Sequence, residues 1–168
     1  NIAGLSVASV TVTTMNSGAA YDFIGNGITL TGPITFSNPG VGSGSGDPNW
    51  AIPITLGASI TMTSDGRVTP FNAAIDLGAN TLTIAGGGDL WINGIVSGAG
   101  GITKNSSSAF QLFGANTYSG ATLVNSATIF ARNASAFGSS ATGTTFANGA
   151  GLGVLSGPYT LNEPLTFQ

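Results

Sequence analysis

The feature that most constrains the fold is a short pattern of alternating apolar and threonine residues that recurs along the chain. Residues 28–36 read ITLTGPITF, residues 54–62 read ITLGASITM, and residues 159–167 read YTLNEPLTF. Residues 75–84, IDLGANTLTI, follow the same pattern with one residue added. Alternation with period two is typical of strands, and the branched Thr side chain suits a strand surface. Each unit therefore predicts two very short strands joined by a bend.

The distance between these units indicates a parallel β-helix. Successive units begin at Ile28, Ile54 and Ile75, so the repeat has a period in the twenties. Such a period matches one turn of a coil whose strands pair with those of the next turn, about 4.8 Å away. At roughly 22 residues per turn, the 168 residues make about seven to eight turns. We therefore predict an all-β solenoid in which residues 1–168 form a single domain.

An antiparallel sandwich or barrel is the alternative fold, because hairpins also produce short alternating strands. Hairpin signals of the Asn-Gly or Asp-Gly type are few, and they occur at positions 26–27, 65–66, 93–94 and 148–149. Most bends have three residues and do not reverse the pattern. The spacing therefore favours the β-helix.

One segment interrupts the repeat. Residues 37–50, SNPGVGSGSGDPNW, are rich in Gly, Ser and Pro and nearly devoid of apolar side chains. This composition predicts a loop that leaves the coil between two turns. Binding sites often lie on such loops, although an insertion without a function is the commoner case.

The composition excludes several classes of function. The chain has three basic and six acidic residues, a net charge of −3, and neither His nor Cys. Disulfides, Cys/His zinc sites and catalysis by Ser-His-Asp or Cys-His need residues that are absent. Three scattered cations give no footprint for nucleic acid. No stretch approaches the roughly 18 apolar residues of a spanning helix, so we expect no membrane insertion.

A family resemblance begins in the second half of the chain. Residues 94–104 read GIVSGAGGITK and residues 109–120 read AFQLFGANTYSG, followed by ATLV, ATI and NASAFG up to Gly138. This run resembles the autotransporter-associated β-strand repeat of bacterial passenger domains. The resemblance covers residues 94–138, about a quarter of the chain. It departs from the family pattern at residues 106–109, where a Gly-Thr turn is usual, and at Ala127, which replaces a Gly.

The resemblance has consequences for fold, location and function. It implies a right-handed β-helix that is exported from a bacterium and lies outside the cell or on its surface. It also implies no enzyme activity and no cofactor, because such repeats serve as stalks and scaffolds. Since the sequence lacks an initiator Met, we expect it to be a segment of a longer protein.

The carboxylates do not predict a catalytic or metal site. Asp65, Asp76 and Asp89 follow one another at about half a turn, so the spacing points them to different sides of the coil. Glycan-cleaving sites need an acid pair within several ångströms. The Gly-rich runs ending at Asp47 and Asp89 fail the spacing of calcium-binding repeats. We interpret Asn116 and Tyr118 of the GANTYSG heptad as structural residues of a turn.

Four aromatic residues are the candidate contact sites. The register that the family resemblance implies places Leu90 and Ile92 inside the coil and Trp91 outside. It places Phe113, one predicted turn later, outside as well. Exposed aromatic side chains mark surfaces that stack on sugars or bury against another molecule. The predicted contact residues are Trp91, Phe113, Phe130 and Trp50.

Two functions follow from these observations. The first is structural: a segment of an exported surface protein that acts as a stalk, an adhesin scaffold or a self-assembling filament subunit. An open β-helix end exposes unpaired backbone groups, so end-to-end or side-by-side self-association is expected. The alternative is a glycan-binding module, with polysaccharide as partner and Trp50, Trp91 and Phe113 as stacking platforms.

Overall fold

The structure is a computed structural model that describes residues 3–13, 21–37, 49–65, 68–155 and 157–168. Within these ranges the regular elements are short strands, and no helix occurs. The strands are β1 (Leu5–Val7), β2 (Val10–Thr13), β3 (Asp22–Phe23), β4 (Ile28–Leu30), β5 (Ile34–Ser37), β6 (Asn49–Trp50), β7 (Ile54–Leu56), β8 (Ile60–Asp65), β9 (Thr69–Phe71), β10 (Ile75–Asp76), β11 (Leu82–Ala85), β12 (Leu90–Ile92), β13 (Val96–Ser97), β14 (Ile102–Lys104), β15 (Phe110–Leu112), β16 (Thr122–Val124), β17 (Thr128–Ala131), β18 (Thr144–Phe146), β19 (Gly151–Val154) and β20 (Leu165–Phe167).

These strands form three parallel sheets that the chain visits in turn. The first sheet has the order β1-β4-β7-β10-β13, and the third has the order β3-β6-β9-β12-β15-β17-β19. The second has the order β2-β5-β8-β11-β14-β16-β18-β20. Over the first five coils each strand pairs in parallel with the strand three places along the chain. The described fold is therefore the parallel β-helix that the repeat predicted, and not the antiparallel sandwich.

The solenoid has about six turns, slightly fewer than the predicted seven to eight. Three strands make a full turn in the first five coils. The coils after β15 lack a strand of the first sheet, and the last contributes β20 alone. Chain length overestimates the count because it treats each of these coils as a full turn.

The first strands of the repeating units stack in register, whereas β5 pairs with β8 two residues further along than the repeat spacing predicts, with Ile34 opposite Met62. In the first sheet Ile28 pairs with Ile54, and Ile54 pairs with Ile75. Inward positions are buried and outward positions are half-buried or exposed, as the alternation along β7 and β12 shows. The inward side chains form one hydrophobic core that runs along the coil. Stacked apolar columns therefore hold the coils together from inside while the backbone ladders hold them from the edges.

The predicted loop at residues 37–50 is shorter than expected at both ends. Ser37 is the last residue of β5, and Asn49 and Trp50 form β6. Residues 38–48 lie outside the described part of the chain.

The prediction that Trp50 is an exposed contact residue is wrong. Trp50 is only 2% exposed. Its ring lies 5.2 Å from that of Phe23 and 5.8 Å from that of Phe71, and its indole N–H donates to the Ile52 carbonyl at 2.7 Å. The strand register pairs Trp50 with the inward Phe71. The residues before Trp50 do not alternate between apolar and polar side chains. The sequence therefore did not indicate whether Trp50 points into the coil or out of it.

Glycines let successive coils approach closely at the corners. An ideal Cβ on Gly100 would lie 1.8 Å from the Asn80 carbonyl oxygen, one coil earlier. A Cβ on Gly101 would lie 2.4 Å from the Ala121 oxygen, one coil later. Gly100 and Gly101 of the repeat motif are therefore required for coil stacking, because a side chain at either position would push two backbones apart.

We expect Gly100→Ala to lower the free energy of unfolding by about 3 kcal/mol, because overpacking against a backbone carbonyl cannot relax through a rotamer change. Gly87→Ala is the matched control. Its added Cβ would meet nothing closer than 3.8 Å, so its effect should stay within about 1 kcal/mol. Urea unfolding of both variants measures the difference, and equal losses would contradict the close-approach explanation.

Candidate functional site

The outward columns of the second and third sheets differ in chemistry. On the second sheet the outward column is mainly threonine and reads Thr61, Thr83, Thr103, Leu123, Thr145 and Thr166. On the third sheet the corresponding column reads Pro70, Trp91, Gln111, Phe130 and Gly153. Large aromatic side chains are therefore concentrated on the third sheet. We call Trp91, Phe113, Phe130, Gln111 and Arg132 the aromatic face.

Trp91 and Phe113 are in contact, although they are not register partners. The coil that begins at Trp91 has fewer residues than the spacing between Trp91 and Phe113. Trp91 therefore pairs with Gln111, and Phe113 lies two residues after that partner. The two ring centres are 5.8 Å apart at an interplanar angle of 48°. Both side chains are half-buried. The predicted outward orientation of Trp91 and its neighbourhood with Phe113 agree with this geometry.

Arg132 contacts the other side of Phe113. Its guanidinium carbon lies 5.1 Å from the centre of the Phe113 ring. Its Nε and Nη2 donate to the Gln111 Oε1 at 2.9 and 2.7 Å. Phe113 therefore lies between an indole and a cation, and the hydrogen bonds to Gln111 orient that cation.

Phe130 lies on the same face, but its ring packs against the next coil. It is the register partner of Gln111 and of Gly153. A Cβ on Gly153 would come within 2.2 Å of the Phe130 ring, so the ring covers the backbone of the next coil. The indole nitrogen of Trp91 is also buried and has no hydrogen-bond partner among the described residues. The aromatic side chains thus lie along the surface and do not project from it.

Gln111 and Arg132 are the residues of this face that sequence reasoning missed. If the Trp91–Phe113 spacing is added again to Phe113, it reaches a position beyond Arg132. The reason is that the coils here contain fewer residues than that spacing. The signal that could have found them is the local alignment of FQL with IFA, which the register pairs.

A lysine occupies the interior of the second sheet. Lys104 stands in register between Ile84 and Val124 and has no exposed surface. Its Nζ donates to the Ser106 and Ser126 carbonyls, each at 2.8 Å. Burial lowers the pKa of Lys104 from 10.5 to about 8, and the charge of Asp89 opposes this shift. The lysine of the ITK motif is therefore an architectural cation held by two carbonyl groups of adjacent bends.

We expect the free energy of unfolding to increase with pH between about pH 8 and pH 10. In this window folded Lys104 has lost its proton, whereas the unfolded chain, with a pKa of about 10.4, still binds it. Because the unfolded state then holds more protons, a higher pH favours folding. Urea unfolding at a series of pH values measures the slope.

Lys104→Met should abolish this increase, and Thr103→Val, the outward neighbour, should preserve it. A slope that persists in Lys104→Met would show that another group causes it. Because the sequence contains a single lysine, an NMR titration of labelled lysine also reads its pKa directly.

The heptad residues Asn116 and Tyr118 are buried structural groups, in line with their interpretation from sequence. Asn116 is 2% exposed. Its Oδ1 accepts from the Val96 N–H at 2.8 Å and its Nδ2 donates to the Ala136 carbonyl at 2.6 Å. The Tyr118 hydroxyl is 2.7 Å from Thr122 Oγ1, and burial raises the pKa of Tyr118. Asn116 therefore links three successive coils where no first-sheet strand is formed.

We expect Asn116→Ala to lower the free energy of unfolding by about 3 kcal/mol, because it leaves a buried N–H and a buried carbonyl without partners. Asn125→Ala is the control. Asn125 is exposed and donates one hydrogen bond to Asn105 Oδ1 at 2.8 Å, so its loss should cost less than about 1 kcal/mol. Thermal or urea unfolding distinguishes the two, and a small effect of Asn116→Ala would contradict the linking role.

The carboxylates are dispersed over the coil. Asp65 ends β8 in the second sheet, Asp76 ends β10 in the first, and Asp89 directly precedes β12 in the third. Asp89 accepts hydrogen bonds from Ser108 Oγ and from the Ala109 N–H. In the described ranges no group of three or more His, Cys, Asp or Glu residues is arranged to hold a metal ion. Nor do those ranges contain a helix long and apolar enough to cross a membrane.

Comparison with known proteins shows that this chain is similar to part of a bacterial autotransporter adhesin. The chain is 36% identical over 112 residues to a protein described as adhesin BmaC autotransporter, from Brucella suis biovar 1 (strain 1330). The match covers 66% of this chain but 3% of that relative, so the chain spans a small fraction of its length. No family model matches the chain. No solved structure matches it. The fold and this similarity fit a β-helix of the kind found in autotransporter passengers, and the particular repeat type has no matching family model.

Proposed function

We propose that this chain is a structural segment of a bacterial surface or extracellular protein, in which it extends a rigid coil. The observation that carries the proposal is the parallel stacking of strands along all three sheets, in a chain similar to part of an autotransporter adhesin. Such a coil separates what lies at its two ends by one strand spacing per turn. A stalk, an adhesin scaffold and a filament subunit all use this property.

Both outermost coils support continuation of the stack. Phe167 occupies an inward register position, opposite Phe146, yet it is 61% exposed. The Phe146 and Phe167 rings are stacked, with centres 4.6 Å apart and an angle of 11°. At the other end Leu5 pairs with Ile28 and is 42% exposed. Apolar columns that reach the surface at both ends favour burial against a further coil.

End-to-end association of two copies is one way to provide that coil. The last unit, YTLNEPLTF, has the same apolar-Thr-apolar pattern as ITLTGPITF near the first coil. A contact between unlike ends is heterologous and does not close, so it generates fibres. We therefore propose self-association through the ends, with continuation within a longer polypeptide as the alternative use of the same surfaces.

We expect the purified chain to increase in mass with concentration in light scattering and to form rods in electron microscopy. Phe167→Lys should raise the concentration needed for association about tenfold, because it places a charge where an apolar ring must be buried. Leu123→Lys is the control, since Leu123 is also exposed but lies on the lateral face of the second sheet.

Two outcomes would contradict end-to-end association. A chain that remains monomeric at every concentration would exclude it and leave the stalk segment as the structural role. Equal suppression by both variants would indicate a lateral contact instead.

A further inference from the structure

We propose that the aromatic face binds an extended polysaccharide whose sugars carry carboxylate groups, with the glycan lying along the axis of the coil. The face lies on the coils of β12, β15 and β17, where Trp91, Gln111 and Phe130 form one outward column and Phe113 and Arg132 lie beside it. This assignment goes beyond a scaffold role and does not depend on it, because a monomeric coil offers the same face.

The geometry of the coil matches the shape of such a ligand. Equivalent positions in successive coils are about 4.8 Å apart, which is comparable with the length of one sugar ring in an extended chain. Trp91 and Phe130 supply apolar ring surface two coils apart in one outward column. Phe113 lies beside this column, between the Trp91 indole and the Arg132 guanidinium, and supports that cation. Aromatic rings stack on the C–H faces of sugars, and rings two coils apart match alternate sugars of an extended chain.

The positive charge of Arg132 favours a sugar that carries a carboxylate group. The Arg132 guanidinium lies on the Phe113 ring and is oriented by Gln111. Of the other two basic residues, Lys104 is buried and Arg67 lies outside the described residues. A guanidinium held in a fixed orientation is the preferred protein partner of a carboxylate.

Two acidic residues belong to the sheet of the aromatic face, Asp22 at the start of β3 and Asp89 directly before β12. Asp65 and Asp76 lie on the other two sheets. Asp89, which precedes β12, is engaged by the Ser108 hydroxyl and the Ala109 N–H. An acidic polymer is therefore attracted by the Arg132 guanidinium and repelled by the carboxylates of all three sheets, so its contact with the coil centres on Arg132.

A second copy of the chain fits this face less well. A stable protein interface buries about 800 Å² on each partner. Three half-buried rings, each exposing no more than about a third of some 250 Å², provide far less. The rings also lie flat, as the cover of Gly153 by Phe130 shows, and offer no protruding anchor. A single glycan chain needs only a narrow strip of this kind.

The test uses the fluorescence of Trp91, which lies on the aromatic face, after the buried Trp50 has been replaced. In Trp50→Phe the remaining indole, Trp91, reports from the face, and we expect its emission to change on titration with polygalacturonate. Calorimetry on the wild-type chain should show binding that weakens with added salt, as a charge contact requires. Arg132→Gln and Phe113→Ala should each weaken binding about tenfold. Should Trp50→Phe fail to fold, calorimetry alone decides.

Leu123→Ala is the matched control, because it removes an exposed apolar side chain from the second sheet and should leave binding unchanged. Dextran, a neutral glycan, should not bind. The proposal is overturned by the absence of heat and emission change at saturating polygalacturonate, by equal binding of dextran, or by an equal loss in Leu123→Ala. Trp91 emission that varies with protein concentration alone would assign the face to a second copy. None of these results bears on end-to-end association, which light scattering measures separately.

Discussion

The structure depends on the parallel hydrogen-bonded pairing of each short strand with the equivalent strand one coil away. Strands as short as most of those here make too few contacts to be stable alone, so each coil exists only because the coils beside it complete its ladders. The pairing also forces equivalent positions into columns. Every inward column must then be apolar or internally hydrogen-bonded, and every corner must let two backbones approach. Both the stacked core and the glycine corners at Gly100 and Gly101 follow from this one constraint.

The same constraint explains why polar residues lie inside the coil. Asn116 bridges the coils before and after it at a corner where the first sheet has no strand, and Lys104 joins the carbonyls of two successive bends. Buried polar groups are tolerated where each has partners, and a missing partner is costly. The residues that make the repeat motif recognisable thus have structural roles inside the coil. The outward columns, which stacking leaves less constrained, are where the faces diverge into threonine-rich and aromatic surfaces.

The fold was largely predictable from sequence, and the candidate site only in part. The units at residues 28–36, 54–62 and 75–84 stack in parallel as predicted, because strand alternation is a local property, although β5 and β8 pair with a shift of two residues from the unit spacing. Trp91 and Phe113 lie on one face as the alternation predicted, but the predicted period is wrong for this coil, because Trp91 pairs with Gln111. The side of Trp50 was predicted wrongly, because the residues before it do not alternate between apolar and polar side chains. Arg132 and Gln111 were missed because successive coils differ in length, so a fixed period loses the register.

By itself the sequence determined the class of fold, the parallel stacking, the alternation of inward and outward residues within each unit, and the absence of His and Cys. These follow from short-range patterns, in which each residue's side is set by its immediate neighbours. Only the tertiary structure decided which outward residues share a column, that Trp50 belongs to the core, and that Arg132 stacks on Phe113. Those facts depend on the exact length of each coil and of each corner. A small difference in length there changes which side chains meet across the gap between coils, and no local pattern records it.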